Sequence, residues 1–219
     1  MKSKSITRFL AMLAIVAAGS FTAQAATAAP VFSDLAIGST GSGQPPLFDA
    51  SLTDLGNPVD LGGSVYSLAI GLTANGTSSG GPALLADSFA LKITAPAGFY
   101  ISFVDYGETY SYSAAAAAGI TMTAVANGQT AAPAYFIAGG GAGNNVDISL
   151  VNPFVFTTTD TVMMNVSNTI FAVGDSSMIK DSATLLVGLT PVPLPPALGL
   201  LGAALIGLAT VSSRRNRNA

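Results

Sequence analysis

The chain of 219 residues contains no cysteine, no histidine and no tryptophan. Without cysteine, no disulfide bond can stabilise the fold, and without cysteine or histidine no thiolate or imidazole metal site can form. The same absences remove most of the nucleophile–base pairs and general bases that enzymes use. We therefore expect no cofactor, no metal site and no enzymatic activity.

Charged side chains are also scarce, at 9% of the residues, although half of the residues are apolar. Six of the eight basic residues lie near the two ends: Lys2, Lys4, Arg8, Arg214, Arg215 and Arg217. The part between them carries two lysines, Lys92 and Lys180, against all eleven acidic residues, which gives a formal charge of −9. Such a body repels nucleic acid phosphates, so we expect no nucleic acid partner.

The first 25 residues have the three parts of a secretory signal peptide. Basic residues come first, residues 9–18 form a short apolar segment, and Ala23 and Ala25 form an A-x-A site for signal peptidase. The sequence therefore predicts export and a mature chain that starts at Ala26. The alternative is a retained N-terminal anchor.

The other end predicts a membrane helix over residues 194–211. These 18 residues carry no charge. As a helix they would extend roughly 27 Å, against a hydrocarbon core of about 30 Å. Arg214, Arg215 and Arg217 follow, and the positive-inside rule keeps them cytoplasmic, which places the body outside the membrane. We divide the chain into a signal peptide (1–25), a secreted domain (26–190) and a C-terminal sorting signal (191–219).

This C-terminal arrangement resembles the PEP-CTERM class of bacterial sorting signals, in its VPLPA-like variant. The resemblance rests on Val192, Pro193, Leu194 and Pro195, the short Leu/Gly/Ala helix and the terminal arginines. It implies a Gram-negative source, processing by an exosortase, and association with exopolysaccharide. Leu194 stands where the class usually has Glu, and Pro196 stands where the variant commonly has Ala. A permanent membrane anchor is the alternative.

Between the two ends, several segments alternate apolar and polar residues as half-buried strands do. The apolar positions of the clearest segments are Leu68, Ile70 and Leu72; Phe89, Leu91 and Ile93; and Phe99, Ile101 and Phe103. Turn-like Gly, Pro and Asn clusters separate about ten such segments, and residues 114–118 are the one candidate helical turn. The pattern predicts an all-β fold, a β-sandwich of the jelly-roll type.

Four of the six tyrosines are the best candidates for carbohydrate contact: Tyr100, Tyr106, Tyr110 and Tyr112. A flat aromatic face with neighbouring carboxylates is the combination that binds sugars. The alternative is that these rings belong to the core.

Other acidic and glycine-rich segments are weaker candidates. Asp105 and Glu108 could pair as glycosidase carboxylates. Residues 139–147 resemble a single copy of a Gly- and Asp-rich calcium repeat, for which a glycine-rich hairpin loop is the simpler interpretation. Asp49, Asp54 and Asp60 do not define a loop that could wrap calcium.

The sequence thus favours an exported structural protein of the cell surface or extracellular matrix, associated with exopolysaccharide in a biofilm. The expected partners are signal peptidase, an exosortase and, before processing, the membrane. The alternatives are a carbohydrate-binding module that uses the tyrosine-rich segment and a hydrolase of exopolysaccharide.

Overall fold

The computed structural model describes residues 29–40, 55, 57–70, 75–78, 83–193 and 204–205. The predicted signal peptide (1–25) and most of the predicted membrane helix (194–211) lie outside these residues, as do Leu72, Asp49 and Asp54. Within the described part, no helix has the length and apolar character needed to cross a membrane.

The described residues form thirteen strands. They are β1 (Val31–Thr40), β2 (Val59–Gly62), β3 (Val65–Ala69), β4 (Asn75–Ser78), β5 (Ala83–Thr94), β6 (Phe99–Ala114), β7 (Ala117–Ala126), β8 (Gln129–Thr130), β9 (Ala134–Ala138), β10 (Gly141–Ser149), β11 (Phe154–Thr159), β12 (Thr161–Val173) and β13 (Ser176–Pro191). The last strand therefore ends one residue inside the predicted sorting signal.

The strands form two antiparallel sheets. The first sheet has the order β1-β5-β12-β7-β8, and β9 also pairs with β7. The second sheet has the order β10-β6-β13-β3-β2, with β11 added on β6 and β4 on β13. The predicted all-β sandwich is confirmed, whereas its jelly-roll connectivity stays a prediction.

The core lies between the two sheets, where alternate residues of each strand point inward. Phe89, Leu91 and Ile93 are buried on the first sheet, and Leu68 is buried on the second, as their alternation predicts. The rings of Phe89 and Tyr106, whose centroids are 5.4 Å apart, join the inner faces of the two sheets.

Two β-bulges reverse this alternation on the second sheet. On β6, Ile101 pairs with Leu189 and Phe103 pairs with Gly188, so Ser102 is an extra residue. Ile101 and Val104 are then both buried, and the predicted inward position of Phe103 is wrong. An extra residue shifts every later side chain to the opposite face.

The second bulge lies on β13, where Lys180 pairs with Tyr110 and Ser182 pairs with Thr109. Asp181 is the extra residue. As a result Lys180 and Ala183 are both buried, although they are three positions apart. The bulge lets Lys180 before it and Ala183 after it both point into the core.

The connections between strands contradict one prediction. Residues 114–118 are not a helical turn, because β6 ends at Ala114, β7 begins at Ala117, and the two strands belong to different sheets. The amide of Ala115 donates a hydrogen bond to Ser176 Oγ at 3.1 Å, which holds this short crossing in place.

The glycine-rich segment is also a crossing between sheets. Gly139 and Gly140 connect β9 of the first sheet to β10 of the second, and the following residues form a strand, so the segment is not a hairpin loop. Gly140 has a φ of 137°, which side chains rarely permit. Across the described residues, no group of three or more His, Cys, Asp or Glu side chains could hold a metal ion.

Candidate functional site

Six polar side chains meet in the middle of the sandwich, where apolar residues are expected. This buried polar cluster consists of Asp87, Tyr106, Glu108, Tyr110, Asn168 and Lys180. The second sheet contributes the tyrosines and Glu108 from β6 and the lysine from β13. The first sheet contributes Asp87 from β5 and Asn168 from β12, which are cross-strand neighbours.

Glu108 is the centre of the cluster. The hydroxyl of Tyr106 donates to Glu108 Oε1, and the hydroxyl of Tyr110 donates to Oε2. Lys180 Nζ lies 2.6 Å from Oε1, and Asn168 Nδ2 donates to the same oxygen at 2.9 Å. Four donors therefore surround one buried carboxylate, which offsets much of the cost of its burial.

Burial also changes the proton affinities of the partners. It lowers the pKa of Lys180, an effect that the negative charges of Glu108 and Asp87 oppose. Burial raises the pKa of Tyr106 and of Tyr110 well above 10, and the charge and hydrogen bond of Glu108 raise both further. At neutral pH the two tyrosines are firmly hydroxyl donors.

The stability of the protein should fall as pH rises above about 10. In the unfolded chain a tyrosine loses its proton near pH 10, whereas Tyr106 and Tyr110 keep theirs in the folded state. Their contribution to the free energy of unfolding is therefore complete below pH 10 and is lost as the pH rises above it. The expected loss is about 1.4 kcal/mol per pH unit for each tyrosine. Urea unfolding at pH 9, 10 and 11 measures it.

The control is the double variant Tyr106→Phe/Tyr110→Phe, which lacks both titrating hydroxyls. Any contribution of Lys180 to the pH dependence is common to both proteins and cancels in the comparison. The variant should lose stability less steeply above pH 10. Equal slopes in parent and variant would contradict the role of the two hydroxyls.

The structure overturns the predicted four-tyrosine platform. Tyr106 is 1% exposed and Tyr110 is 0% exposed, so neither can contact a sugar. Tyr112 is half-buried, with its ring 5.2 Å from that of Phe136. Tyr100 precedes the bulge at Ser102, which places it on the opposite face from the other three.

The weaker candidate, Asp105 and Glu108 as a pair of glycosidase carboxylates, does not fit the geometry. Asp105 and Glu108 are separated by an odd number of positions on one regular stretch of β6, so they point to opposite faces of the sheet. Glu108 is inside the core, whereas Asp105 lines the outer face.

The outer face of the second sheet has a shallow groove near Asp105. Its floor is Gly107, where a Cβ atom would lie 2.8 Å from Ser149 Oγ. Asp147, Thr109 and other small polar side chains line its walls. Burial raises the pKa of Asp105, a hydrogen bond from the Tyr106 amide lowers it, and the charge of Asp147 raises it again.

The outer face of the first sheet presents Tyr135, which the sequence interpretation missed. Tyr135 is 72% exposed, and Ile137 beside it on β9 is 64% exposed. Ile137 pairs with Gly119 on β7, Gly119 pairs with Phe171 on β12, and Phe171 pairs with Leu84 on β5. Tyr135, Ile137, Phe171 and Leu84 form an apolar row, which we call the outer apolar row.

Part of the buried polar cluster has a signal in the sequence. Asp87 shares the alternation of Phe89, Leu91 and Ile93, so its burial follows from the pattern. Asn168 is an inward residue of the strand β12, where the polar residue shares the face of Val166 and Ile170. The inward position of Lys180 depends on the bulge at Asp181, which the pattern does not reveal.

No family model matches the chain, and no curated protein matches it. Among solved structures, TmCBM61 in complex with β-1,4-galactotriose has 8% identity and a TM-score of 0.33, with 71% of this chain and 88% of that chain covered. The Podospora anserina GH26-CBM35 β-(1,4)-mannanase has 16% identity and a TM-score of 0.25, with 76% and 29% covered. A CBM4 structure has 10% identity and a TM-score of 0.21, with 75% and 95% covered. Likenesses this distant carry no inference about function.

Proposed function

We propose that this protein is an exported structural component of the cell surface or extracellular matrix, delivered by its C-terminal sorting signal. The observation that carries the proposal is the sequence from Val192 to Arg217, a proline motif followed by a short apolar segment and arginines. The N-terminal signal-like segment supports the same direction of export.

The position of the proline motif relative to the fold supports processing. The last strand ends at Pro191, and the amide of Val192 donates its hydrogen bond to the carbonyl of Gly98 at 2.8 Å. Pro193, the next residue, is exposed. A cut at the motif would therefore leave every strand of the sandwich intact, and prolines keep such a segment extended.

Intact mass spectrometry of the protein from the surface of its native host should show a dominant C-terminus between residues 191 and 196. A control variant with residues 192–195 replaced by alanine retains the apolar segment and the arginines, so it should remain uncut. Recovery of the full parent chain to Ala219 as the main form would instead support a permanent anchor.

A second candidate function, carbohydrate binding, is favoured by the outer apolar row. Tyr135 offers a flat amphipathic face to solvent on an exposed strand, as a polysaccharide platform requires. One such platform would bind weakly, with dissociation constants on the order of millimolar to ten micromolar. Many copies along one polymer would strengthen retention through avidity.

Exchange of Tyr135 for alanine should reduce retention on native exopolysaccharide and leave the circular dichroism unchanged. Val155→Ala is the matched control, because Val155 is 63% exposed and belongs to the second sheet. Parental retention by the tyrosine variant would rule out the outer apolar row as the platform, without affecting the proposed sorting.

A further inference from the structure

An amine and a carboxamide meet at one oxygen in the buried polar cluster. Lys180 Nζ and Asn168 Nδ2 lie 2.6 and 2.9 Å from the same atom, Glu108 Oε1. An amine is a nucleophile, the Cγ atom of an amide is an electrophile, and a carboxylate between them can move protons. These are the three parts that acyl transfer from an amide to an amine requires.

We propose that Lys180 and Asn168 join in an intramolecular isopeptide bond, with Glu108 carrying the protons. The neutral Nζ attacks Asn168 Cγ, and the new N–C bond forms. Glu108, which has already taken one proton from Nζ to make it neutral, delivers that proton to Nδ2 and then accepts the second proton of Nζ. The Cγ–Nδ2 bond breaks, ammonia leaves, and one proton stays on Glu108. One amine and one primary amide become one secondary amide and one ammonia, so no oxidant or other co-reactant is needed.

The attacking amine must be neutral, and the surroundings of Lys180 favour that form. Its side chain is fully buried against that of Glu108, and its Nζ lies 5.6 Å from the centroid of the Tyr110 ring. Burial lowers the pKa of Lys180 despite the opposing charges of Glu108 and Asp87. Transfer of the proton from Nζ to Glu108 removes both charges of the pair, which relieves the desolvation cost of a buried ion pair.

The side-chain amide of Asn168 is hydrogen-bonded through its nitrogen and, in the part of the chain that the structure describes, has no hydrogen bond at its oxygen. Its Nδ2, the leaving group, is hydrogen-bonded to Glu108. Its Oδ1 is buried and has no hydrogen-bond partner among the described residues. A buried carbonyl oxygen without a donor costs about 1–3 kcal/mol. Rotation of the amide would let Oδ1 accept the proton of Glu108, which makes Cγ more electrophilic.

The rest of the cluster holds the carboxylate and keeps water away. Tyr106 and Tyr110 each donate to one oxygen of Glu108, so its orientation is fixed on both sides. Groups held in this way react with effective concentrations of roughly 10⁵–10⁸ M. The sandwich interior then protects the finished bond from hydrolysis, and the escape of ammonia makes the step irreversible.

The bond would connect β12 of the first sheet with β13 of the second sheet through the core. The chain has no cysteine, so no disulfide can provide a covalent link of this kind. A covalent link between sheets suits an exported protein, because it persists where no cellular machinery refolds the chain.

Digestion with a protease that cleaves before aspartate tests the bond directly. Cleavage at Asp160, Asp175 and Asp181 gives peptide 160–174, which contains Asn168, and peptide 175–180, which contains Lys180. From the folded parent, purified as the exported chain and denatured before digestion, we expect one linked species, lighter than the two peptides together by one ammonia. Recovery of both peptides separate and unmodified overturns the proposal.

Variants separate the bond from the ion pair. Asn168→Ala keeps both charges and should give no linked species, with a melting temperature lower by about 5–10 °C. Asn168→Asp should link with loss of water in place of ammonia. Lys180→Arg keeps the positive charge and should not link. Glu108→Gln keeps a hydrogen-bond acceptor but cannot accept and release a proton, so a folded Glu108→Gln protein that links at parental yield overturns the role of Glu108.

Discussion

Exchange of Lys180 for methionine is expected to lower the free energy of unfolding by about 3–5 kcal/mol. The exchange is made in the Asn168→Ala protein and compared with that protein, in which both charges remain and the proposed isopeptide bond cannot form. Methionine fills most of the space of the lysine stem, so the loss comes from electrostatics. Glu108 would remain at 1% exposure without its cation, and a buried carboxylate left without its cation is strongly unfavourable.

A second substitution should restore much of that loss. Glu108→Gln added to Lys180→Met removes both charges and keeps a carbonyl oxygen for the tyrosine hydroxyls. Replacement of a whole buried ion pair by neutral groups is often close to neutral. We expect the double variant to recover more than half of the stability that the single variant loses, measured by urea unfolding at pH 7. A double variant less stable than Lys180→Met would contradict the view that an unpaired charge causes the loss.

The buried pair also shows where prediction from the sequence ends. Alternation on β5 is readable because Phe89, Leu91 and Ile93 follow one another without interruption. Glu108 and Lys180 are 72 positions apart, and Glu108 and Asn168 are 60 positions apart. Nothing local in the sequence states which distant strands pair, so the meeting of these three side chains could not be predicted.

The error on the tyrosines has a similar physical cause. Alternation predicts correctly that Tyr100 lies opposite Ile101, but the bulge at Ser102 reverses the face of every later residue of β6. Tyr106 and Tyr110 therefore enter the core, and their hydroxyls are satisfied by Glu108. A bulge adds one residue to a strand and has no obligatory sequence signature. Alternation can therefore be regular before and after the bulge, and a single pattern drawn through both parts still places the later residues on the wrong face.

Some glycines of this protein lie inside strands, beneath aromatic rings of the neighbouring strand. Gly119 is buried in β7, paired with Phe171 on one side and Ile137 on the other. The same relation holds between Gly188 and the ring of Phe103. The missing side chain leaves the space that the ring occupies, a packing known to compensate for glycine in strands.

Exchange of Gly119 for alanine should therefore lower the free energy of unfolding by about 2–3 kcal/mol. The new Cβ would lie 2.5 Å from the Phe171 ring and 2.7 Å from the carbonyl oxygen of Phe136. The ring could turn outward, but the carbonyl belongs to the backbone of β9 and can move only if the β7–β9 pairing is distorted. The strain thus falls on the strand that carries Tyr135.

Gly139→Ala is the matched control, because it is the same chemical change at a position where a Cβ atom would meet nothing within 4 Å. Alanine has fewer backbone conformations than glycine, so it lowers the conformational entropy of the unfolded chain. The control should therefore be as stable as the parent or more stable by up to about 1 kcal/mol. Urea unfolding of both variants measures the difference. Equal stability of the Gly119 variant and the parent would show that the backbone of β9 can move away from the new Cβ atom without loss of stability. A fall in stability confined to Gly119→Ala would show that the Phe171 ring and the backbone of β9 leave no space for a Cβ atom at Gly119.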